Sequence, residues 1–292
     1  MRCSICKKND AVIFIRRKGY CKECFIRIYE RRVERLVKRF KLVEKGDRVM
    51  VAVSGGKDSL SAALILNKLK DKIGFEVELL FIDLGIPTFS NVSKKSVEKF
   101  AKMAGLELHT IILKDYVGKS LVELKRGSRP MCAVCGIVKR YIMNKYPKEH
   151  GFNKVATGHN ADDMVEFFFT NWLSGNFEWI SKLKPIIPST HPKLLAKVRP
   201  LFECTEEENR AYAKLNELPI VQAKCPFKPS HKWKKIVNEI ERKVPNFKLN
   251  FVKSLERFPE IEYESVLREC KICGEPSSSE VCSFCKVVGR AN

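Results

Sequence analysis

Residues 54–59, with the sequence SGGKDS, are of the types that bind a phosphate group. Two adjacent glycines lack the Cβ atoms that would keep a ligand away from the backbone, and the serines add hydroxyl donors. Apolar residues before and after this stretch predict a strand that leads through a loop into a helix N-terminus, an arrangement that binds anions. The Walker pattern G-x-x-x-x-G-K-[ST] is excluded, because Gly55 and Gly56 are adjacent and Asp58 follows Lys57. An ordinary capped β–α turn is the alternative.

The twelve cysteines of this 292-residue chain are a second chemical signal. The first ten residues lack the apolar core of a signal peptide, and no apolar run reaches the length of a membrane span. We therefore expect a cytoplasmic protein that does not enter a membrane, in which cysteine clusters usually bind metal. Eight cysteines have the paired C-x2-C spacing of two four-thiolate zinc sites, with disulfides as the alternative. These are Cys3, Cys6, Cys21 and Cys24, and Cys270, Cys273, Cys282 and Cys285.

Cys132, Cys135 and Cys225 could form a third metal site. Three thiolates suit a 4Fe-4S cluster with one iron left open, and an open iron can bind a sulfur atom. A redox disulfide between Cys132 and Cys135, or buried thiols without a chemical role, are the alternatives. Cys204 stands alone after an apolar run, and we interpret it as a packing residue.

Strands and helices that alternate along the chain must position these residues. Apolar runs predict strands, and apolar residues at helical spacing predict helices. The strands are expected at 48–54, 75–83, 106–113, 152–158 and 197–202, and the helices at 60–72, 91–105 and about 160–174. This order predicts an α/β fold with a doubly wound, mainly parallel, Rossmann-like sheet. The phosphate loop, Asp83 and His159 would then lie at the carboxyl ends of the strands, where ligands of such sheets bind.

The combined motifs resemble those of the PP-loop ATP pyrophosphatases, and in particular the tRNA 2-thiouridine synthetase family. The resemblance is carried by SGGKDS, CAVCGIVKRY (132–141), TGHNADD (157–163), the single late Cys225 and a four-cysteine group at each end. It covers nearly the whole chain. It implies an enzyme that uses ATP to adenylate O2 of a uridine in tRNA and then replaces this oxygen with sulfur.

The resemblance also implies the cofactors and partners. Cys132, Cys135 and Cys225 would hold a 4Fe-4S cluster, and a ubiquitin-like sulfur carrier with a C-terminal thiocarboxylate would deliver sulfur. The expected target is the T-loop ribothymidine at tRNA position 54, and the family is usually homodimeric. Three alternatives remain: the wobble uridine at position 34, which the related cytoplasmic tRNA 2-thiolation proteins modify, an amine-using PP-loop ligase, and a non-enzymatic zinc adaptor.

Further site residues follow from the same motifs. Lys139 would hold phosphate or developing negative charge, and Asp163 would handle a proton or orient the substrate. Their alternatives are a solvated helix lysine and a carboxylate that stabilises the first turn of a helix. Asp58 and a phosphate could share Mg²⁺. The expected ATP contacts are Ala52, Val53, Ser54, Gly55, Gly56, Lys57, Asp58, Ser59, Ile82 and Gly158.

Two lesser expectations concern the segment after the fourth strand. His159 is expected only to cap or to pack. The buried face of the following helix is expected to consist of Phe167, Phe168, Phe169 and Trp172.

The charge of the chain favours a nucleic-acid partner. The net charge is +21, from 55 Lys and Arg against 34 Asp and Glu. Residues 1–45 are strongly basic, and 231–248 are basic again. Such a balance is typical of polyanion binding, with a solvated surface as the alternative. We expect an N-terminal zinc finger at 1–30, a PP-loop catalytic domain at 31–265 and a C-terminal zinc finger at 266–292.

Overall fold

The structure is a computed structural model that describes residues 1–124, 127–228, 232–259, 261 and 267–290. The expected boundary between the catalytic domain and the second finger, at 265/266, lies outside the described residues. Strands occur at β1 Ile13–Ile15, β2 Lys18–Tyr20, β3 Arg48–Val53, β4 Glu76–Asp83, β5 Leu108–Ile112, β6 Lys154–Thr157, β7 Ile186–Ile187, β8 Ala196–Val198, β9 Arg268–Glu269 and β10 Pro276–Ser277.

Helices cover both faces of the central sheet. They are α1 Lys22–Arg39, α2 Lys57–Ile73, α3 Phe89–Ala104, α4 Leu113–Val117, α5 Met131–Glu149, α6 Ala161–Leu173, α7 Phe177–Ser181, α8 Glu206–Leu215, α9 Lys232–Lys243, α10 Phe247–Glu256 and α11 Ser283–Val288. None of the helices in the described ranges combines the length and hydrophobicity that a membrane crossing requires.

The central sheet has the strand order β5-β4-β3-β6-β8-β7, parallel except for the antiparallel strand β7. The chain runs outward from β3 to β5 and then returns to the other side of β3, so the strand order reverses between β3 and β6. A crevice at such a reversal is the usual ligand site of a doubly wound sheet. The predicted α/β fold, mainly parallel and flanked by two four-cysteine groups, is confirmed.

Two hydrophobic layers sandwich this sheet because alternate residues of a strand face opposite sides. Val49 and Val51 of β3 pack with α1, α2, α3 and α6 in one layer. Met50, between them, packs with α5 and α11 in the other layer. The helices that carry the phosphate loop and the cysteine pair 132/135 therefore lie on opposite faces of the sheet.

The last predicted strand was too long. Only Ala196–Val198 is extended, whereas residues 200–203 form turns. Pro200 cannot donate a hydrogen bond to a ladder, and Phe202 instead donates its N–H to the carbonyl of Arg199 at 3.1 Å.

The N-terminal segment joins a four-cysteine group to the main core through one helix. The hairpin β1–β2 precedes α1, which starts directly after Cys21. Tyr29 and Val33 of α1 are buried in the main core, and the Tyr29 ring stacks on that of Tyr212 at 4.4 Å. The expected boundary at residue 30 thus falls within a continuous helix, and the division into three domains stays a prediction.

Candidate active site

The SGGKDS loop forms a tight turn between β3 and α2. The N–H of Ser54 donates to Ser59 Oγ at 3.1 Å, and that hydroxyl donates to the carbonyl of Gly56 at 3.1 Å. Gly55 has φ +75°, and a Cβ there would lie 3.2 Å from the carbonyl oxygen of Ser93. The first N–H groups of α2 have no partners within the helix, so this end of the loop can bind an anion.

A cleft of about 280 Å³ opens beside this loop at the carboxyl ends of β3, β4 and β6. The apolar part of its lining includes Leu84, Ile86 and Phe89. A cleft lined by a polar loop and by apolar side chains suits a nucleotide, because the phosphates are polar and the base has an apolar face. Eight of the expected ATP contacts line the cleft, whereas Gly55 and Lys57 do not. The eight are Ala52, Val53, Ser54, Gly56, Asp58, Ser59, Ile82 and Gly158.

Gly158 is needed for packing as well as for access to the cleft. A Cβ at this position would lie 2.6 Å from the Ser59 nitrogen and 2.7 Å from the Asp58 carbonyl carbon. Both are backbone atoms that cannot rotate away. The strand end at Gly158 therefore fixes the start of α2, a role in addition to the nucleotide approach expected from the sequence.

Lys57 holds the loop in place through a charged network. Its Nζ lies 2.9 Å from Asp58 Oδ2 and 3.1 Å from Glu206 Oε1. Lys234 Nζ continues the network, at 3.4 Å from Glu206 Oε2 and 2.7 Å from Asp163 Oδ1. Burial disfavours the charged form of Glu206, but Lys57 and Lys234 outweigh it and lower the pKa to about 2. Glu206 and Lys234 were missed, since no local pattern links residues so far apart in the chain.

Asp58 is oriented by three donors. Its Oδ1 accepts hydrogen bonds from Asn160 Nδ2 at 3.1 Å and Asn209 Nδ2 at 2.7 Å, while its Oδ2 faces Lys57. A carboxylate offers about four acceptor positions, so capacity for an ion remains. Magnesium at Asp58 stays a prediction.

Asp163 matches the alternative interpretation that we gave for it. Its carboxylate accepts from the Asn160 N–H at 3.2 Å, while Asn160 Oδ1 accepts from the Asp163 N–H at 3.1 Å. This reciprocal capping box starts α6. Lys234 lies on its other oxygen, and Asp163 does not line the cleft.

His159 lies just after the carboxyl end of β6, as expected, and it packs against Phe167 but does not cap the next helix. Asn160 is the residue that caps α6, and His159 lines the cleft. The Nδ1 of His159 lies 2.8 Å from Thr157 Oγ1. Burial, with a smaller contribution from Arg199, lowers its pKa to about 4 despite the opposing charge of Asp163. The imidazole at the cleft is therefore neutral at physiological pH.

The three remaining cysteine candidates are close to this cleft. Cys132 and Cys135 lie in the first turns of α5, and Cys132 Sγ donates to the Phe227 carbonyl at 2.6 Å, two residues after Cys225. Burial raises the pKa of the Cys132 and Cys135 thiols, and both also interact electrostatically with Cys225 and Lys139. Lys139, one helical turn beyond Cys135, lines the cleft.

These three thiols are not packed as ligands of a single ion. Within the described part of the chain, they do not belong to any group whose ligand atoms all lie within 4.8 Å of one another. A four-iron cluster is larger than one ion and holds its ligand sulfurs farther apart, so a spacing beyond 4.8 Å is compatible with the cluster.

The two four-cysteine groups fit a single tetrahedral ion. In each, the four Sγ atoms lie within 4.8 Å of one another. Cys6 and Cys21 are 3.9 Å apart, and Cys273 and Cys282 are 3.8 Å apart. Zinc bonded to four sulfurs at 2.3 Å separates them by about 3.8 Å. The donor sets therefore fit zinc.

The expected buried aromatic face of α6 was wrong in part. The helix buries Ala161, Met164 and Val165, whereas Phe167 is 38% and Trp172 is 48% exposed. Successive helix residues point about 100° apart, so three adjacent phenylalanines cannot all face one core. Phe168 and Phe169 do pack against it. Cys204 is buried, as expected.

Comparisons with known proteins agree with this geometry. The ATP_bind_3 model, a PP-loop domain, matches residues 27–226. The tRNA-5-methyluridine(54) 2-sulfurtransferase of Pyrococcus horikoshii is 41% identical, covering 99% of this chain and 94% of its own. The Thermotoga maritima protein of that name is 39% identical over 98% and 96%. U34-tRNA thiolase NcsA from Methanococcus maripaludis, solved with its [4Fe-4S] cluster, superposes with a TM-score of 0.83 at 28% identity over 100% and 97%.

Fold and loop together define a PP-loop ATP-binding protein. Within that class, the chain belongs to the tRNA 2-sulfurtransferase family.

Proposed function

We propose that the protein uses ATP to adenylate O2 of a uridine in tRNA and to replace this oxygen with sulfur. The observation that carries the proposal is the position of Lys139. This side chain lines the nucleotide cleft, and it also lies close enough to Cys132 and Cys135 to influence both thiols. Nucleotide activation and sulfur chemistry would therefore meet at one place.

Each of the two steps forms one bond and breaks another. In the first, O2 of the uridine attacks the α-phosphorus of ATP, and pyrophosphate leaves. In the second, a sulfur nucleophile attacks C2, and AMP leaves with the original oxygen. The loop at 54–59 holds the phosphates through N–H and hydroxyl donors, and Lys139 stabilises the negative charge that develops on them. Mg²⁺ at Asp58 would neutralise further phosphate charge.

Cys132, Cys135 and Cys225 are the residues that would hold a 4Fe-4S cluster. Bound there, the cluster would supply one iron without a protein ligand, to which inorganic sulfur can bind. Lys139, in the nucleotide cleft and near Cys132 and Cys135, would contribute positive charge to both parts of the site. Asp163 would orient its neighbours, because Asn160 and Lys234 hold its two oxygens in place and it does not line the cleft.

Zinc and the macromolecular partners complete the proposal. The sulfur–sulfur distances support zinc in both four-cysteine groups. The charge of +21 supports tRNA as the substrate. A ubiquitin-like carrier with a C-terminal thiocarboxylate as the sulfur donor, and a homodimer as the functional unit, are proposed on the family resemblance.

The proposed target is the 5-methyluridine at position 54, because relatives at 41% and 39% identity have that name. A second candidate is the uridine at position 34, which the structurally similar thiolase is named for. The test uses anaerobically prepared protein, ATP, sulfide and two tRNAs in which either position 54 or position 34 is changed to cytidine. Mass spectrometry measures 2-thiouridine, and chromatography measures AMP.

Loss of sulfur incorporation only with the position-54 change is the expected result. Loss only with the position-34 change would select the second candidate. AMP formation without sulfur incorporation, stimulated by an amine, would instead indicate a PP-loop ligase.

A further inference from the structure

Four basic side chains lie together beside the cleft. Lys197 lies on β8, next to β6, and Arg199 follows it by two residues. The Arg199 side chain is hydrogen-bonded to the Lys182 carbonyl at 3.0 Å. Burial lowers the pKa of Lys197, and the positive charges of Arg140, Arg199 and Lys182 add to this effect. We call Arg140, Lys182, Lys197 and Arg199 the cationic wall.

The sheet register explains why the wall forms. Lys197 is paired with Val155, and Val155 with Met50, so their side chains share one face of the sheet. Met50 packs in the layer of α5. Arg140 lies on α5, so this helix and β8 bring their cations to the same face of the sheet.

The charge of the wall is only partly balanced. Lys182 forms an ion pair with Glu178, and Arg199 donates to the backbone carbonyl of Lys182 at 3.0 Å. Among the residues that the structure describes, no carboxylate oxygen lies within 4.0 Å of a nitrogen of Arg140 or Lys197. Lys197 is half-buried. A cation that is partly removed from water without a partner is costly, and an anionic ligand would relieve that cost.

The wall connects the cleft with exposed aromatic rings. On one side, the charge of Arg140 interacts with Cys135. The charge of Arg199 helps to lower the pKa of His159, which lines the cleft. On the other side, the Lys182 Nζ lies 5.3 Å from the ring centroid of Trp179.

Two aromatic rings extend the surface. Trp179 is 53% exposed, and Phe167 packs edge-on against the His159 ring at a centroid distance of 5.7 Å. Cations that follow a backbone, together with open aromatic faces, are typical of surfaces that bind single-stranded nucleic acid. An acidic protein would match the cations but would leave the ring faces without a purpose.

We propose that Arg140 and Lys197 bind a phosphodiester group next to the target nucleotide, and that Trp179 stacks on an unpaired base of the same RNA. The inference rests on the proposed function, because it assigns the RNA side of that site. ATP is not the anion, since neither Arg140 nor Lys197 lines the nucleotide cleft. The site is also separate from the basic helix α1, which packs on the other face of the sheet.

The test measures the affinity of the full-length protein for unfractionated tRNA at several salt concentrations. Lys197→Ala and Arg140→Ala should each weaken binding about tenfold, the effect of losing one charged hydrogen bond. Each should also reduce the slope of log affinity against log salt, and the two changes together should reduce it by about 0.7–0.9, the value for one phosphate contact. Lys197→Arg should restore both quantities. Lys102→Ala, on the exposed side of α3, is the matched control and should change neither by more than the measurement error.

Stacking gives a separate readout. Trp179→Ala should weaken tRNA binding about tenfold without changing the salt slope, because base stacking involves no counterion release. Trp179→Phe should recover most of the loss. Wild-type affinity and slope in Lys197→Ala would overturn the inference. The inference would also be overturned if Lys197→Ala kept its tRNA binding but lost affinity for a protein sulfur donor or lost self-association.

The outcomes separate this inference from the proposed function. A wild-type protein that transfers sulfur to tRNA, with Lys197→Ala binding tRNA equally well, contradicts only the inference. A wild-type protein that binds tRNA through Lys197 but transfers no sulfur contradicts only the function. The melting temperature of each variant, measured alongside, identifies unfolding, and Lys197→Arg keeps the test decisive if Lys197→Ala is unstable.

Discussion

The terminal cysteine groups and the three cysteines beside the cleft differ in the number and the spacing of their thiols. Each terminal group brings four sulfurs within 4.8 Å, enough to complete the coordination of one ion. In the second group, a backbone N–H also donates to a sulfur, since the Cys282 nitrogen lies 3.2 Å from Cys270 Sγ. The cleft group supplies only three thiols, more widely spaced and half-buried. A complete ligand set makes a structural site, whereas an incomplete one leaves a position for chemistry.

The two terminal groups also differ from each other. Cys3, Cys21 and Cys24 form a small cluster of their own. The second group is part of the α5 layer, where the Phe284 ring stacks on that of Tyr141 at a centroid distance of 3.6 Å. The second finger therefore supports the helix that carries the cleft cysteines, and the first does not.

The largest effect is expected from Cys225→Ser. This change removes one of three proposed ligands, so we expect loss of bound iron and a fall of 2-thiouridine formation to background. Cys204→Ala is the control, because this cysteine is buried away from the cleft and its truncation should cost about 1 kcal/mol without loss of iron. Iron content, the visible spectrum and thiolation are measured after anaerobic reconstitution. Full activity in an iron-free Cys225→Ser protein would favour a persulfide at Cys132 and Cys135 instead.

The double change Cys3→Ser with Cys6→Ser should have the next largest effect. Structural zinc supplies about 10–16 kcal/mol to modules of this size, so its loss should unfold the first finger. We expect tRNA affinity to fall more than about tenfold with a shallower salt dependence, since the net charge of +5 in residues 1–21, six Lys and Arg against one Asp, is then no longer held in place. Zinc content and tRNA binding are the measurements. Unchanged affinity at every salt concentration would place the RNA elsewhere on the molecule.

The sequence predicted the parts of the site that depend on local spacing, and missed those that depend on distant contacts. Strands β3 to β6, the loop at 54–59 and the paired cysteines follow from short patterns. The ion pairs from Glu206 to Lys57 and Lys234 join segments that only the folded chain brings together. The exposed Phe167 and Trp172 were wrongly assigned to the core, because an aromatic run does not reveal which face of its helix is covered.

Phe284→Ala tests whether the second finger supports the cleft cysteines. Truncation of a buried phenylalanine costs about 3–5 kcal/mol, and here the lost contact is with α5. We expect a lower free energy of unfolding in urea and less iron per protein, with zinc still bound. Phe14→Ala in the first finger is the matched control, since its ring is 58% exposed and should contribute less than about 0.5 kcal/mol. Full iron content in a destabilised Phe284→Ala protein would show that the second finger does not support the cleft cysteines.

The smallest effect is expected at the phosphate loop, where Lys57 is held by ion pairs with Asp58 and Glu206. The pKa of Glu206 is about 2 in the folded protein, below its ordinary value of 4.5. A lowered carboxyl pKa stabilises the fold above the unfolded value, and this contribution is lost as the pH falls from about 4.5 to about 2. Glu206→Gln should therefore cost on the order of 2 kcal/mol at pH 7, allowing for a side chain that is 29% exposed. The difference between the two proteins in urea unfolding should shrink between pH 4.5 and pH 3. Acid release of zinc affects both proteins alike and cancels in that difference. A difference that stays constant over this range would show that Glu206 acts through packing, and that Lys57 keeps its place without the carboxylate.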